Sequence, residues 1–192
     1  MPINAPPNSD GNDTIDRFIA EWTAQRPDLD FDYLATIGRI LRTSAHLREN
    51  MDAWLAPFGL SWEMFDLLAS LERSGGKTGL RPTDLYEACM LSSGATTNRI
   101  DRAETLGFAQ RRPDPDDGRA TRIALTKRGH TLTQKAMTEH ATQAGEISDR
   151  LTAKEQEQLA HLLRKMLRSF ETASEPAKNE QPKRKSAAAS AA

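Results

Sequence analysis

The segment at residues 97–102 carries polar side chains with the chemistry needed to read the bases of DNA. An asparagine such as Asn98 can bond both polar groups on the major-groove edge of adenine, and an arginine such as Arg102 can do the same for guanine. A helix that presents such side chains in the major groove can distinguish sequences. We expect Thr97, Asn98 and Arg102 to face DNA.

The pattern around these residues predicts the helix that carries them. Ser92 or Ser93 can accept hydrogen bonds from the first free backbone N–H groups, and Gly107 supplies a stop. Three apolar residues then share the inward face of the helix: Ile100, Ala103 and Leu106. The DNA contacts predicted on this helix are Ser92, Ser93, Thr96, Thr97, Asn98 and Arg102.

A basic hairpin follows this helix. Short extended runs at 108–112 and 119–125 flank a turn rich in Pro, Asp and Gly. A helix followed by such a hairpin is typical of a winged helix-turn-helix, in which the wing contacts the DNA backbone or minor groove. We expect Arg119 at the tip of the wing, oriented by an ion pair with Asp117, and Arg112 as a further contact.

Composition agrees with a small DNA-binding protein. The 192 residues, 38% hydrophobic and 28% charged, can bury one core or a core plus a dimer interface. The net charge of -1 argues against indiscriminate coating of nucleic acid. Residues 97–128 nevertheless carry eight Arg or Lys against five Asp or Glu, whereas residues 1–80 carry seven against twelve. The basic surface is therefore local.

Cysteine and histidine usage excludes several classes of site. The lone Cys89 cannot form an internal disulfide and fits a reducing compartment. The four histidines lack metal-ligand spacing with cysteine, so we expect neither a metal nor a cofactor. No apolar run reaches the roughly 20 residues that span a bilayer, and the N-terminus does not have the order of a signal peptide. We expect a cytoplasmic protein.

The remaining chain reads as helices between two low-complexity ends. We expect a disordered N-terminal arm at 1–13 and a low-complexity tail at 173–192, whose PKRK run could touch phosphates. Capping and apolar periodicity predict the helices. Their expected ranges are 14–25, 31–56, 61–75, 82–90, 93–106, 126–147 and 152–170.

The run RPTDLYEACMLSSGATTNRIDRAETLGFAQRRPDPDDGRATRIALTKRG resembles the winged helix of the MarR family of bacterial transcriptional regulators. Its most specific part is the wing, where Asp117, Arg119 and LTKRG match the family's D-x-R and L-T-x-x-G pattern. The resemblance extends from GLSWEMFDLLASLERSG to the closing helix and so covers most of the chain.

This resemblance implies a mainly α fold with a small β-hairpin wing. The winged helix-turn-helix would span about 60–126, within a domain at 14–172. Helices at about 14–58 and 127–172 would interlock with those of a second subunit as a dimerisation region. The implied protein is a homodimer that represses transcription from a pseudo-palindromic operator in double-stranded DNA, and not an enzyme.

Four residues bear on the effector: Trp22, Asp66, Arg99 and Arg111. The phrases FDLL, TNRI and QRR around the last three, and an extra N-terminal helix with its Trp, resemble the urate-responsive branch of the family. Urate is a planar anion that Arg can bind by charge-assisted hydrogen bonds and Trp can cap. The resemblance thus implies an anion pocket in which Asp66, repelled by the ligand, moves away from the recognition helix.

Other readings of these residues stay open. The same four residue types could hold a phenolic compound, an aromatic carboxylate or another anionic metabolite. Trp22 could instead staple a helix to the core, Asp66 and Arg99 could form a structural ion pair, and Arg111 could contact phosphate. A redox role of Cys89, or a role as a non-regulatory accessory of an enzyme, is a weaker alternative, and no nucleotide-binding, hydrolase or metalloprotease motif is present.

Overall fold

The computed structural model describes residues 11–76, 78–89 and 96–174 of the chain. Within them, seven α-helices accompany one antiparallel hairpin. In chain order these elements are α1 (Thr14–Gln25), α2 (Ile37–Leu55), α3 (Trp62–Gly75), α4 (Pro82–Ala88), α5 (Thr96–Thr105), β1 (Ala109–Pro113), β2 (Thr121–Leu125), α6 (Lys127–Ser148) and α7 (Ala153–Ser174). The chain divides within α6 into two compact units, Met1–Gln143 and Ala144–Ala192.

The predicted mainly α fold with a small hairpin is confirmed, but three helix boundaries are wrong. Helix α7, expected to end at residue 170, continues to Ser174 and so includes the first two residues of the expected tail at 173–192. The expected helix at 31–56 begins as a separate 3-10 helix, Asp32–Ala35, and the α-helix starts only at Ile37. At the junction the Thr36 hydroxyl donates to the Tyr33 carbonyl at 3.1 Å, a local bond that competes with a continuous helix. Helix α4 also stops early, because Cys89 is extended.

The N-terminal helix α1 is fastened to α2 by a small polar network. Asp13 caps α1 and forms a capping box with Asp16. Arg39 of α2 donates to both carboxylates, at 2.8 Å and 2.6 Å. The predicted arm at 1–13 thus includes a capping residue, whereas residues 1–10 and 175–192 lie outside the described part of the chain.

The winged-helix core is built around α3. Its buried face packs with residues from α4, α5 and β2: Leu85, Ile100, Ala103 and Ile123. Before α4, Leu80 exchanges two backbone hydrogen bonds with Ile123, at 2.9 Å and 2.7 Å, and so adds one residue of a third strand. Gly79 precedes it with φ +82°, and a side chain there would collide with the Ile123 carbonyl. This short pairing has no periodic signal and is not predicted from the sequence.

The L-T-x-x-G segment joins the hairpin to α6. Thr126 accepts a hydrogen bond from the Gly129 N–H at 3.0 Å and donates to the Gly107 carbonyl at 2.7 Å. The Gly129 Cα lies so close to the Phe108 carbonyl that an added Cβ would overlap it. The first turn of α6 therefore packs directly on the backbone that enters β1, and both residue types are required there.

His140 lies farther along α6, inside an aromatic cluster. Its ring centroid lies 6.2 Å from that of Trp54, 5.7 Å from that of Trp62 and 5.2 Å from that of Phe65. The Nδ1 atom is buried without a hydrogen-bond partner among the described residues. Burial lowers the pKa of His140 from 6.5, so the neutral ring is favoured in the folded state.

Two helical regions leave apolar side chains in water. On α7, which begins with the predicted Thr152 and Glu155 capping box, the exposed residues are Leu159, Leu162, Leu163, Leu167 and Phe170. From α1 to α2 they include Phe18, Tyr33, Ile37, Ile40 and Leu41. No helix among the described residues is long and apolar enough to cross a membrane. Each of these two regions, taken by itself, exposes the kind of apolar surface that marks an interface.

We expect Gly129→Ala to lower the free energy of unfolding by about 2 to 4 kcal/mol, because the new methyl group must displace the Phe108 carbonyl. Gly145→Ala is the matched control in the same helix, since a Cβ at that position meets no atom within 4 Å. Urea unfolding at equal protein concentration compares them. Equal stability of Gly129→Ala and the parent would contradict the described packing.

The buried His140 predicts a pH dependence of stability. The pKa of His140 is lowered in the folded state, so the unfolded chain binds the proton more readily. The contribution of the neutral ring to the free energy of unfolding is therefore complete above pH 6.5 and is lost as the pH falls below that value. Between about pH 8 and about pH 5, His140→Phe should therefore lose less unfolding free energy than the parent. Parallel losses in the two proteins would show that His140 is not responsible.

Candidate nucleic-acid interface

Helix α5 presents the predicted polar side chains to solvent and turns both of its apolar residues inward. Ile100 and Ala103 are buried, whereas Thr97, Asn98 and Arg102 are exposed. The expectation that Leu106 faces inward is wrong, because it lies just after the end of the helix and is 36% exposed. Ser92 and Ser93 lie outside the described residues, as does the side chain of Thr96. The exposed face of α5 is therefore polar.

Helix α4 is joined to the start of α5 by a side-chain contact. The hydroxyl oxygens of Tyr86 and Thr97 lie 2.9 Å apart, within hydrogen-bonding distance. Behind α4, the Ala88 carbonyl accepts from Ser70 at 3.1 Å and from Arg73 at 2.7 Å, both on α3. These contacts join α4 to α3 and to the start of α5, and the Tyr86 contact is one that the sequence does not predict.

The wing is anchored by Asp114, which is only 3% exposed. Its carboxylate accepts from the Asp116 N–H at 3.0 Å and from Arg81 Nε at 2.6 Å, and it lies 3.1 Å from Arg122 Nε. The bond from the Asp116 N–H, together with the two guanidinium groups, lowers the pKa of Asp114 to about 2. Arg122 also donates to the Gly79 carbonyl at 3.2 Å. One carboxylate thus connects the start of α4, β2 and the wing turn.

The tip of the wing is arranged differently from the prediction. Asp117 does not form an ion pair with the Arg119 side chain; its carboxylate accepts the Arg119 backbone N–H at 3.1 Å instead. The turn closes with a bond from the Ala120 N–H to the Asp117 carbonyl at 2.8 Å. Asp117 therefore shapes the turn. Arg119 is exposed, and its guanidinium forms no ion pair with a described residue.

Arg111 connects the base of the wing to the recognition helix. Its guanidinium lies 2.8 Å from the Asp101 carboxylate and also contacts Glu104. The Arg111 backbone N–H donates to the same Glu104 at 2.8 Å. Both acidic residues lie on α5, so β1 and α5 are joined by one arginine. The charge of Arg111 is already neutralised in this arrangement.

The ion pairs decide which cations can meet DNA. Arg81, Arg111 and Arg122 are paired with carboxylates. Within the described part of the chain, the exposed Arg102, Arg112 and Arg119 form no ion pair. These three guanidinium groups lie on the recognition helix, on β1 and in the wing turn. The local excess of basic residues therefore leaves free positive charge at the elements predicted to contact the phosphate backbone and bases.

The four predicted effector residues are only partly brought together. Asp66, on α3, is 6% exposed, and Arg99, on α5, is half-buried. Trp22 is 53% exposed and stacks on Phe31 with ring centroids 5.6 Å apart. The Arg111 guanidinium pairs with Asp101 and Glu104. The structure therefore pairs Arg111 with α5 and Trp22 with the loop after α1.

The charges of Asp66 and Arg99 both affect the pKa of the Cys89 thiol. Burial raises the pKa of the Cys89 thiol, the negative charge of Asp66 raises it further, and Ser70 and Arg99 oppose the shift. A raised pKa keeps the thiol protonated at neutral pH, and a protonated thiol is a poor target for oxidants. This environment disfavours the alternative of a cysteine-based redox sensor. Among the described residues, no group of three His, Cys, Asp or Glu could hold a metal ion.

The chain is similar to known transcriptional regulators. A family model described as MarR family matches residues 58–120, from just before α3 to the wing turn that precedes β2. The chain is 30% identical over 149 residues to the HTH-type transcriptional regulator PecS of Dickeya dadantii, an alignment that covers 78% of this chain and 90% of that regulator.

Solved structures share the fold. AbsC, a MarR family transcriptional regulator from Streptomyces coelicolor, superposes with a TM-score of 0.66 over 75% of this chain and 97% of AbsC, at 23% identity. The Mycobacterium tuberculosis MarR family protein Rv2887, solved in complex with salicylic acid, superposes with a TM-score of 0.53 at 28% identity, covering 68% of this chain and 95% of Rv2887.

The buried carboxylate of Asp114 predicts how the wing responds to substitution. Asp114→Asn removes the charge that holds Arg81 and Arg122 together, so we expect trypsin to cleave after Arg119 faster, on the order of tenfold. Asp116→Asn is the matched control, because that side chain is exposed and lies 3.9 Å from Arg122. Equal cleavage rates in the two variants would contradict the anchoring role.

Proposed function

Because the chain belongs to the MarR family of DNA-binding transcriptional regulators, we propose that it is a ligand-responsive repressor. As a homodimer it binds a pseudo-palindromic operator, and a small anionic ligand such as urate releases it. The two-fold symmetry of such a dimer places the operator half-sites about 10 bp apart, centre to centre, or a multiple of that distance.

The observation that carries this proposal is the distribution of free cations. Arg102 and Arg119 are exposed and unpaired among the described residues, on the recognition helix and in the wing turn. Asn98 is exposed one turn before Arg102 on α5. Arginine and asparagine are the side chains best suited to bidentate bonds with guanine and adenine. We assign Asn98 and Arg102 to base reading in the major groove, and Arg119 to the minor groove.

A second copy of the chain is the proposed occupant of the exposed apolar faces. The apolar side chains of α7 form one exposed stripe, in which Leu162, for example, is 58% exposed. Burying apolar area stabilises an interface by about 25 cal/mol per Å², so a face of this kind favours association. The residues exposed from α1 to α2 form a second apolar region, which a partner subunit would also cover. The family resemblance assigns these helices to dimerisation.

The proposed effector site uses Asp66 and Arg99. They lie on α3 and α5, two helices that pack together, so a ligand that changes their separation would move the recognition helix. A urate anion would attract Arg99 and repel Asp66. Arg111 would join the ligand only by leaving Asp101 and Glu104. The 30% identity to PecS supports placing the chain in the branch from which the urate expectation comes.

An aromatic carboxylate is the second candidate effector. Rv2887, at 28% identity, was solved with salicylic acid. Salicylate is also a planar anion, and the same Arg99 could bind it by charge-assisted hydrogen bonds. The two candidates differ in size and in their number of hydrogen-bonding groups. A direct comparison of urate and salicylate as releasing ligands distinguishes them.

Base reading by the recognition helix is tested by Asn98→Ala. We expect operator affinity to fall by about 1 to 3 kcal/mol, and affinity for random DNA to change little, because a lost base contact affects only the specific complex. Asn50→Ala, a substitution of an exposed asparagine on α2, is the control. Titrations use DNA from upstream of the protein's own gene. Equal losses on both DNAs would show that Asn98 only positions the protein.

The ligand switch is tested by adding urate to the operator complex. Urate should release the parent protein and quench its tryptophan fluorescence. Asp66→Asn should bind operator and urate but release DNA poorly, because the repelled charge is gone. Asp28→Asn, which removes an exposed carboxylate paired with Arg26, is the control. Absence of urate binding by calorimetry at millimolar concentration, with release by salicylate, would replace urate by the aromatic carboxylate.

A further inference from the structure

A groove of about 610 Å³ lies at the start of α6, and the residues that line it include none of those assigned above to DNA or effector. The residues that shape it are Phe58, Phe108, Lys127, Arg128, Leu132 and Lys135. Its volume falls in the range of small-molecule sites, which are typically about 300 to 1,000 Å³. None of the function proposed so far uses this groove.

The floor of the groove is apolar and rigidly supported. Phe108 is buried in the core, and Phe58 and Leu132 pack against the same core while remaining partly exposed. The backbone at Phe108 is held by the Gly129 contact and by a bond from its N–H to the Ala103 carbonyl at 2.8 Å. A floor fixed in this way offers a preformed surface for a flat apolar ring.

The rim of the groove is cationic. Arg128 covers the Phe108 ring, with its guanidinium carbon 5.1 Å from the ring centroid, and it donates to the Leu106 carbonyl at 3.0 Å. Lys127 and Lys135 form no ion pair within the described part of the chain, and no carboxylate lines the groove. Three positive charges therefore surround an apolar floor without a matching anion.

The spacing of the basic residues along α6 allows their charged groups to reach the same part of the groove. Arg128, Leu132 and Lys135 recur at i, i+4 and i+7, which places them on one face of α6. Lys127 and Lys135 are eight residues apart, a rise of about 12 Å along the axis. Flexible lysine side chains from the two ends can reach toward the apolar Leu132 between them. The centre of the groove can thus receive two negative groups carried on one ring.

We propose that this groove binds a small aromatic dianion. The ring would lie on Phe58 and Leu132, and its two anionic groups would meet Lys127 and Lys135, with Arg128 contributing from the side of Phe108. The two lysines would favour a ligand with two negative charges, since a monoanion would leave one ammonium group in the site without a matching charge. The binding does not depend on operator recognition, so its failure and a failure of the proposed repressor function are separable.

The test titrates the full-length, isotope-labelled protein with three probes of the same shape: isophthalate, 3-carbamoylbenzoate and isophthalamide, with two, one and no negative charges. Backbone amide shifts in NMR spectra report where each probe binds. We expect isophthalate to shift the amides of Phe108 and Leu132. Each charge replaced by a carboxamide should weaken the affinity by about tenfold, as expected for the loss of one charge-assisted contact.

The variants locate the charges. The double variant Lys127→Gln with Lys135→Gln should weaken isophthalate binding by about tenfold or more. The control, Lys154→Gln with Lys165→Gln on α7, removes the same charge elsewhere and should bind like the parent. Equal affinity for all three probes, equal loss in both double variants, shifts confined to other regions, or no shift at millimolar isophthalate would each overturn the proposal.

Discussion

The buried carboxylate of Asp114 is the contact on which the arrangement of the reading elements depends. It accepts from the wing backbone at Asp116 and faces guanidinium groups from Arg81 and Arg122. A buried carboxylate is stable only when hydrogen bonds and opposite charges replace the lost water. Because these partners come from different elements, satisfying one charge fixes the wing against the start of α4.

Two further contacts place the recognition helix. Arg111 joins β1 to α5 through Asp101 and Glu104, and Tyr86 meets Thr97 between α4 and α5. The Arg111 guanidinium pairs with the carboxylates of Asp101 and Glu104 on α5, which reduces the repulsion between these carboxylates and DNA phosphates. On the described parts of α5 and the wing, the exposed Arg102, Arg112 and Arg119 form no ion pair and remain available for DNA. The protein thus separates arginines that build the interface from arginines that can contact DNA.

The sequence predicted the helices, the hairpin and the exposed polar face of α5, because these follow from apolar period and local capping. Predictions failed where a contact between distant segments decides the outcome. Asp114 is recognisable as an anchor only once Arg81 and Arg122 are seen beside it, and Leu80 pairs with Ile123 across the chain. One failure is local: the D-x-R pattern predicts an ion pair, whereas the Asp117 carboxylate accepts a hydrogen bond from the Arg119 backbone N–H. Gly129 belongs to the L-T-x-x-G pattern, but the physical reason for a glycine there is its close contact with the Phe108 carbonyl. That contact is visible only in the folded structure.

In the proposed function, α5 and the wing together form the DNA-reading surface. Hydrogen exchange of backbone amides, measured with the operator and with random DNA, tests it most directly. The account predicts operator-specific protection in α5 and at residues 114–120, and no direct protection on the polar face of α1. Protection confined to other helices, or an unchanged wing in the operator complex, would contradict it.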